Sequence, residues 1–129
     1  MIDWKVSEDF IAYPDALEEM ETRVNAIASW QAPECVWLLQ HLCIYTLGTR
    51  GSQSNILDFY DFPTYTCGRG GQATYHSPGQ RVGYVMLNLR SRNLDLHTYV
   101  HMLEKWLISS LKRLGITGEQ RSDGIGVWV

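Results

Sequence analysis

The chain has 129 residues, 45% of them hydrophobic and 19% charged, and a formal net charge of −3. That length and balance suit one soluble domain with a core of its own, residues 1–129, and exclude disordered, collagen-like and disulfide-scaffold classes. The small charge does not mark a nucleic-acid binder, and no run approaches the ~18 apolar residues of a membrane span. Met1-Ile2-Asp3-Trp4-Lys5 shows neither the basic nor the apolar region of a signal peptide. Cys35, Cys43 and Cys67 are odd in number and contain no Cys-x-x-Cys pair. Reduced thiols in a cytoplasmic protein are therefore expected, without a bound metal or other cofactor.

Leu17, Met20, Val24 and Ile27 recur at helical spacing behind Pro14, which predicts a helix over 14–29. Cys35 to Gln40 is a short apolar run that reads as a buried strand, and Ile44 to Gly48 extends or follows it. Arg81 to Leu89 reads as a further strand. Leu96, Val100, Leu103, Leu107, Leu111 and Leu114 predict a second helix over 95–114, stopped by Gly115. Ile116–Arg121 and Ile125–Val129 read as a hairpin turning at Ser122-Asp123-Gly124. Helices interleaved with strands place the fold in the α/β (α+β) class, a mixed sheet with flanking helices. The ending Gly124-Ile125-Gly126-Val127-Trp128-Val129 is an apolar strand pattern reaching the last residue. It suggests a chain cut short, or else a Trp128 docked into the core.

Charge and glycine are both uneven. Residues 1–49 carry eight acidic against two basic side chains, whereas 50–92 carry five arginines against two aspartates. Seven of eleven glycines fall between 48 and 83. The segment Cys67-Gly68-Arg69-Gly70-Gly71-Gln72-Ala73-Thr74-Tyr75-His76-Ser77-Pro78-Gly79-Gln80 concentrates what chemistry there is. Glycines let backbone approach a ligand and let several N–H groups converge, and Arg69 beside them suits an anionic or carbonyl oxygen.

Arg69-Gly70-Gly71-Gln72-Ala73-Thr74-Tyr75-His76-Ser77-Pro78-Gly79-Gln80 resembles the Arg-Gly-Gly-x-x-Thr-Tyr-His-Gly-Pro-Gly-Gln signature of the lipoyl(octanoyl) transferases, with Ser77 in place of a glycine. Tyr13-Pro14-Asp15-Ala16, Trp37 to His41, Ile44 to Gly48, Val82 to Leu89, Gly115-Ile116 and Gly126 to Val129 fit the same family in order. Leu42-Cys43 departs from a common Pro-Pro pair. The resemblance implies a biotin/lipoate protein ligase-like catalytic domain. It also implies transfer of octanoyl from acyl carrier protein, through a cysteine thioester, to a lysine of lipoyl domains in 2-oxoacid dehydrogenases and the glycine cleavage H protein. The family's nucleophilic cysteine and its lysine lie beyond the Gly-Val-Trp-Val segment. No catalytic residue is therefore assigned here, Lys5, Lys105 and Lys112 do not match, and the chain is expected to bind without turnover. By resemblance Arg69, Gly70, Gly71, Gln72, Ala73, Thr74, Tyr75 and His76 bind substrate.

In that reading Tyr75 walls an acyl slot with Tyr84 behind it, and His76 is a general acid or base or an orienting hydrogen bonder. Burying seven methyl and methylene groups contributes about 5–6 kcal/mol before binding costs. Cys67, beside Arg69, is a weak alternative nucleophile, and Cys35 is packing. His97 and His101 have chelating spacing without a third ligand, and His41 ends a strand. The arginine-rich middle could steer an acidic carrier protein. Two other functions remain open: a non-catalytic acyl- or carrier-binding module, and a biotin- or lipoate-adenylating ligase. Neither a nucleic acid nor a membrane is an expected partner.

Overall fold

A computed structural model describes residues 1–57, 60–122 and 124–129. The chain divides into two compact units, residues 1–87 and 88–129. Each is built around its own contacts.

In the first unit, β1 (Ile2–Phe10), β2 (Glu34–Gln40) and a third strand, Val82–Met86, form a sheet in that spatial order. β1 runs parallel to β2 with Val6 opposite Leu38, and the third strand runs antiparallel with Tyr84 opposite Trp37. The parallel pair requires a crossover, which is α1 (Tyr13–Ala28). Pro14 occupies the first turn of α1, where its missing N–H is harmless. Ala16, Met20 and Ile27 pack onto Cys35, Trp37, Leu39 and Met86 to make the core. The expected apolar stripe is thus shifted: Val24 is exposed, and Tyr13 and Ala16 take the buried positions.

β1 was not foreseen as a strand. Its alternation is inverted, because Asp3, Lys5 and Ser7 are the more covered residues while Trp4 and Val6 stay exposed. The polar side is used rather than wasted. Arg23 of α1 bonds Asp3 at 3.2 Å, Lys5 pairs with Glu19, and Trp37 Nε1 donates to Ser7 Oγ at 2.9 Å.

β3 (Ile44–Leu47) is the centre of a second sheet, between β4 (Thr64–Thr66), parallel to it, and β5 (Ala73–His76), antiparallel to it. The Val82–Met86 strand is β6 in chain order. Both β4 and β5 lie where the sequence reads as loop. β6 is shorter than the expected 81–89 because Asn88 turns the chain, its side chain and carbonyl capturing Ser91 N–H and Oγ–H.

The second unit is α2 (Leu96–Arg113) with the antiparallel hairpin β7 (Glu119–Arg121) and β8 (Gly124–Trp128). Asp95 caps α2 by accepting Thr98 N–H at 2.9 Å. At its end Gly115, at φ 77°, closes a Schellman motif: Gly115 N–H donates to Lys112 O and Ile116 N–H to Leu111 O. Glu104 reaches from α2 to the hairpin, accepting Gly126 N–H at 2.8 Å and Gln120 Nε2–H at 2.6 Å. Asp123 of the predicted turn lies outside the described residues. Trp128 is not docked in a core: it is 47% exposed, with the Arg121 guanidinium 4.9 Å from its ring. Among the described residues no helix is long and apolar enough to cross a membrane.

Candidate functional site

Strand alternation sorts the signature. On β5, Thr74 and His76 share one face, and Ala73 and Tyr75 the other. Register puts Thr74 beside Thr46, His76 beside Ile44, and Tyr75 beside Tyr45.

Arg69 is tied into the protein through both terminal nitrogens. Its Nη2 donates to Thr46 O at 2.9 Å, Thr46 Oγ1 at 2.8 Å and Thr74 Oγ1 at 2.9 Å, and Nη1 donates to Gly70 O at 2.9 Å. A planar fork of donors suits this cluster of oxygens, and a lysine would not reach them together. Arg69, expected to meet a ligand oxygen, instead braces the loop together with Thr74.

The brace controls peptide orientation. The carbonyls of Arg69, Gly70, Gly71 and Gln72 all accept from their own fold: Thr49 N–H, Arg69 Nη1–H, Arg50 N–H and Gly48 N–H. In a trans peptide C=O and N–H point oppositely, so the N–H groups of Gly70, Gly71 and Gln72 turn away from residues 46–50. They make no hydrogen bond to a described residue. This is a row of donors able to receive a carbonyl or anionic oxygen. Two glycines permit it: Gly71 sits at φ 91°, and a Cβ on Gly48 would lie 2.5 Å from Gly71 O and 2.8 Å from Gly70 O.

The face carrying Thr74 and His76 meets a polar aromatic group centred on His41, which the sequence places only at a strand end. His41 is 1% exposed, with Nδ1 2.6 Å from Ile11 O and Nε2 2.8 Å from the Tyr84 hydroxyl. The Ile11 carbonyl can only accept, so Nδ1 carries the proton and Nε2 accepts from Tyr84. Burial lowers the His41 pKa, so the neutral form is favoured. Burial, with the Cys67 thiol as a lesser neighbour, pushes the Tyr84 phenol up to about 12. Tyr13 is raised too, by burial and then by its hydrogen bond with Cys67. The rings of Tyr13, His76 and Tyr84 lie 5.7, 5.7 and 5.9 Å from that of His41. Tyr65 on β4 packs at a tilt against Tyr13, ring centres 5.2 Å apart. The signal available in the sequence was an apolar strand, Trp37-Leu38-Leu39, running into Gln40-His41. Apolar surroundings force a histidine to find fixed partners.

Tyr75 and Tyr84 are not two walls of one slot. Tyr75 is 41% exposed, stacks on Phe62 at 5.9 Å and packs at a tilt against Tyr45 at 5.3 Å, on the face turned from His76. Its pKa is raised chiefly by a hydrogen bond with Cys43. A cavity of about 330 Å³ opens on that second face, lined by Tyr45, Ile56, Tyr60, Ala73 and Tyr75 among others.

Two of the three thiols are poor nucleophile candidates. Cys35 is 1% exposed and its pKa is raised by burial, and Cys67 donates to Leu47 O at 3.3 Å. His97 and His101 stack edge-on at 4.5 Å, and His101 Nδ1 lies 3.0 Å from Glu104. Among the described residues no group of three metal-ligating side chains converges.

Residues 12–129 match the model of the lipoyl protein ligase A/B catalytic domain. The chain is 50% identical over 127 residues to an octanoyltransferase of Parvibaculum lavamentivorans, covering 98% of this chain and 56% of that protein. It is 50% identical over 128 residues to an octanoyltransferase of Rhodopseudomonas palustris, and 45% identical over 128 to one of Bartonella quintana. Each of these alignments covers 99% of this chain and 52% of the relative. The chain thus spans about half the length of the curated relatives it matches. A match over nearly all of this chain, running through the braced loop and the His41 cluster, means that the chain belongs to the lipoyl protein ligase A/B catalytic domain family.

Proposed function

We propose that this chain serves octanoyl transfer, from octanoyl-acyl carrier protein to a lysine of lipoyl domains such as those of 2-oxoacid dehydrogenases and the glycine cleavage H protein. Residues 1–129 supply the part that grips cargo. The family match running across both units supports reading them as parts of one ligase-like domain. The observation that carries the proposal is the outward-turned donor row at Gly70, Gly71 and Gln72, held by Arg69 beside a face that ends in His76. An acyl thioester presents one carbonyl oxygen and one apolar tail, and such a row orients the oxygen while apolar burial supplies affinity. Within the segment, Gly70, Gly71, Gln72 and His76 meet the ligand. Arg69 and Thr74 hold them in place, and Ala73 and Tyr75 line the reverse face. Reduced Cys35, Cys43 and Cys67 fit a cytoplasmic setting.

The test mixes the 129-residue chain with octanoyl-acyl carrier protein and a lipoyl domain, with intact-mass detection. Binding without an octanoyl adduct on any of the three thiols is expected. A stable adduct on Cys35, Cys43 or Cys67 would overturn the assignment of a purely cargo-gripping role. Dependence of modification on ATP and free octanoate would instead establish the ligase reading.

A further inference from the structure

His97 and His101 stand one helical turn apart on α2, so both rings rise from one side of the helix, with their centres 4.5 Å apart. To that spacing the fold adds a fixed tautomer. The Glu104 side chain is 7% exposed and accepts Gly126 N–H at 2.8 Å and Gln120 Nε2–H at 2.6 Å. These donors favour its carboxylate form, which can only accept. His101 Nδ1, 3.0 Å from Glu104 Oε2, must therefore donate to it. Gln120 Nε2 also lies 3.3 Å from His101 Nδ1, but an amide nitrogen offers no lone pair and does not compete for that proton. In the neutral ring the lone pair of His101 is then on Nε2, away from the carboxylate. Both imidazoles line a cavity of about 750 Å³, together with Arg121, Ser122 and Ile125 of the hairpin segment.

We propose that His97 and His101 form a two-nitrogen site for a divalent transition-metal ion of the Zn²⁺ class, with Glu104 as the positioning residue behind His101. Every group in it belongs to the second unit, so it stands independently of the acyl-transfer reading. Imidazole nitrogens suit Zn²⁺, Ni²⁺ and Cu²⁺, whereas Mg²⁺ and Ca²⁺ seek oxygen. Two histidines at this spacing on a helix are a chelating pair. A carboxylate behind a histidine fixes the ring and raises its basicity toward a metal. His97 is exposed, so its ring can turn out of the edge-on packing and point a nitrogen, with His101 Nε2, at one ion. The cavity has room for the waters that complete a four-coordinate shell. The Glu104 carboxylate offsets part of the ion's charge, and the Arg121 guanidinium on the cavity wall is seated 4.9 Å from the Trp128 ring.

The probe is Zn²⁺ added to the 129-residue chain, with Mg²⁺ as the hard-ion control. Nitrogen-15 NMR of the histidine rings should place the free-state proton of His101 on Nδ1. Zn²⁺ should shift His101 Nε2 and a ring nitrogen of His97 together, and Mg²⁺ should shift neither. The readout is residue-specific, so ion taken up by a thiol does not enter it. His97→Ala, read at His101, and His101→Ala, read at His97, should each weaken Zn²⁺ by about tenfold or more. Glu104→Gln should weaken it by about tenfold. Rings unmoved by Zn²⁺ at about 1 mM, or an affinity within about twofold of the wild type in either alanine variant, would overturn the site. Wild-type affinity in Glu104→Gln would overturn the role of Glu104. So would a free-state proton on His101 Nε2, a test made on the wild-type chain that holds even where Glu104→Gln loosens the hairpin.

Discussion

Arg69→Met separates a brace from a ligand contact. The guanidinium makes four hydrogen bonds within the protein, three of them from Nη2 to Thr46 O, Thr46 Oγ1 and Thr74 Oγ1. Thr46 is 1% exposed, so its hydroxyl cannot turn to water when the arginine goes. Hydrogen bonds from a charged donor contribute about 1.5–3 kcal/mol each in favourable cases, and a stranded buried hydroxyl costs about 1–3 kcal/mol. The bonds share one guanidinium and do not add fully, so a loss of about 3–5 kcal/mol is expected. Thr46→Val, which removes the hydroxyl, should cost about 1–2 kcal/mol alone. In the double variant the stranded group no longer exists, so the combined loss should fall short of the sum by about 1–2 kcal/mol. Urea unfolding followed by fluorescence of the buried Trp37 reads this out. With a slope near 2 kcal/mol/M, Arg69→Met should lower the midpoint by roughly 2 M. A wild-type midpoint for Arg69→Met together with weakened acyl binding would refute the brace and return Arg69 to the ligand. Strict additivity would refute the coupling to Thr46.

Gly48→Ala should lower the melting temperature by about 5–10 °C, because the new Cβ meets backbone oxygens of Gly70 and Gly71 rather than a yielding side-chain tip. A wild-type melt would show that the loop relaxes freely. His41 has a folded-state pKa below its unfolded value, so the unfolded chain binds the proton first on acidification. Stability should therefore fall as pH drops below about 6.5, by at most about 1.4 kcal/mol per pH unit from this one group, until the folded-state pKa is passed. His41→Gln should flatten that slope in urea titrations at successive pH values. Glu104 acts in the same direction over a lower pH range: Gly126 N–H, His101 and Gln120 favour its carboxylate and lower its pKa. Its stabilising contribution should be present above the ordinary glutamate range and be lost as pH falls through the depressed value. Amide exchange at Gly126, faster in Glu104→Ala than in the wild type, checks this contact.

Both helices, the buried strand after Pro33 and the closing hairpin were legible because each carries a local signal. Pro14 opens α1, Gly115 ends α2, and apolar periodicity fills the interiors. The signature segment was legible as a string, and so was the likeness of the chain to its family. β1, β4 and β5 were not. β1 places its polar alternates beside Arg23, Glu19 and Trp37, partners 14 to 30 residues away. β4 and β5 have only three and four residues, too few for a period, and gain their identity by pairing with β3.

Residue types alone therefore determined where donors and acceptors are available: glycines for close backbone approach, an arginine with a planar fork, a histidine at the end of an apolar strand. Which of them faces a ligand was decided only by tertiary pairing. Strand alternation sends Tyr75 away from His76, and Thr46 and Thr74 take hydrogen bonds from Arg69. The physical reason is that a polar group has a limited set of lone pairs and protons. Its free valence for chemistry is whatever the rest of the fold has left unpaired.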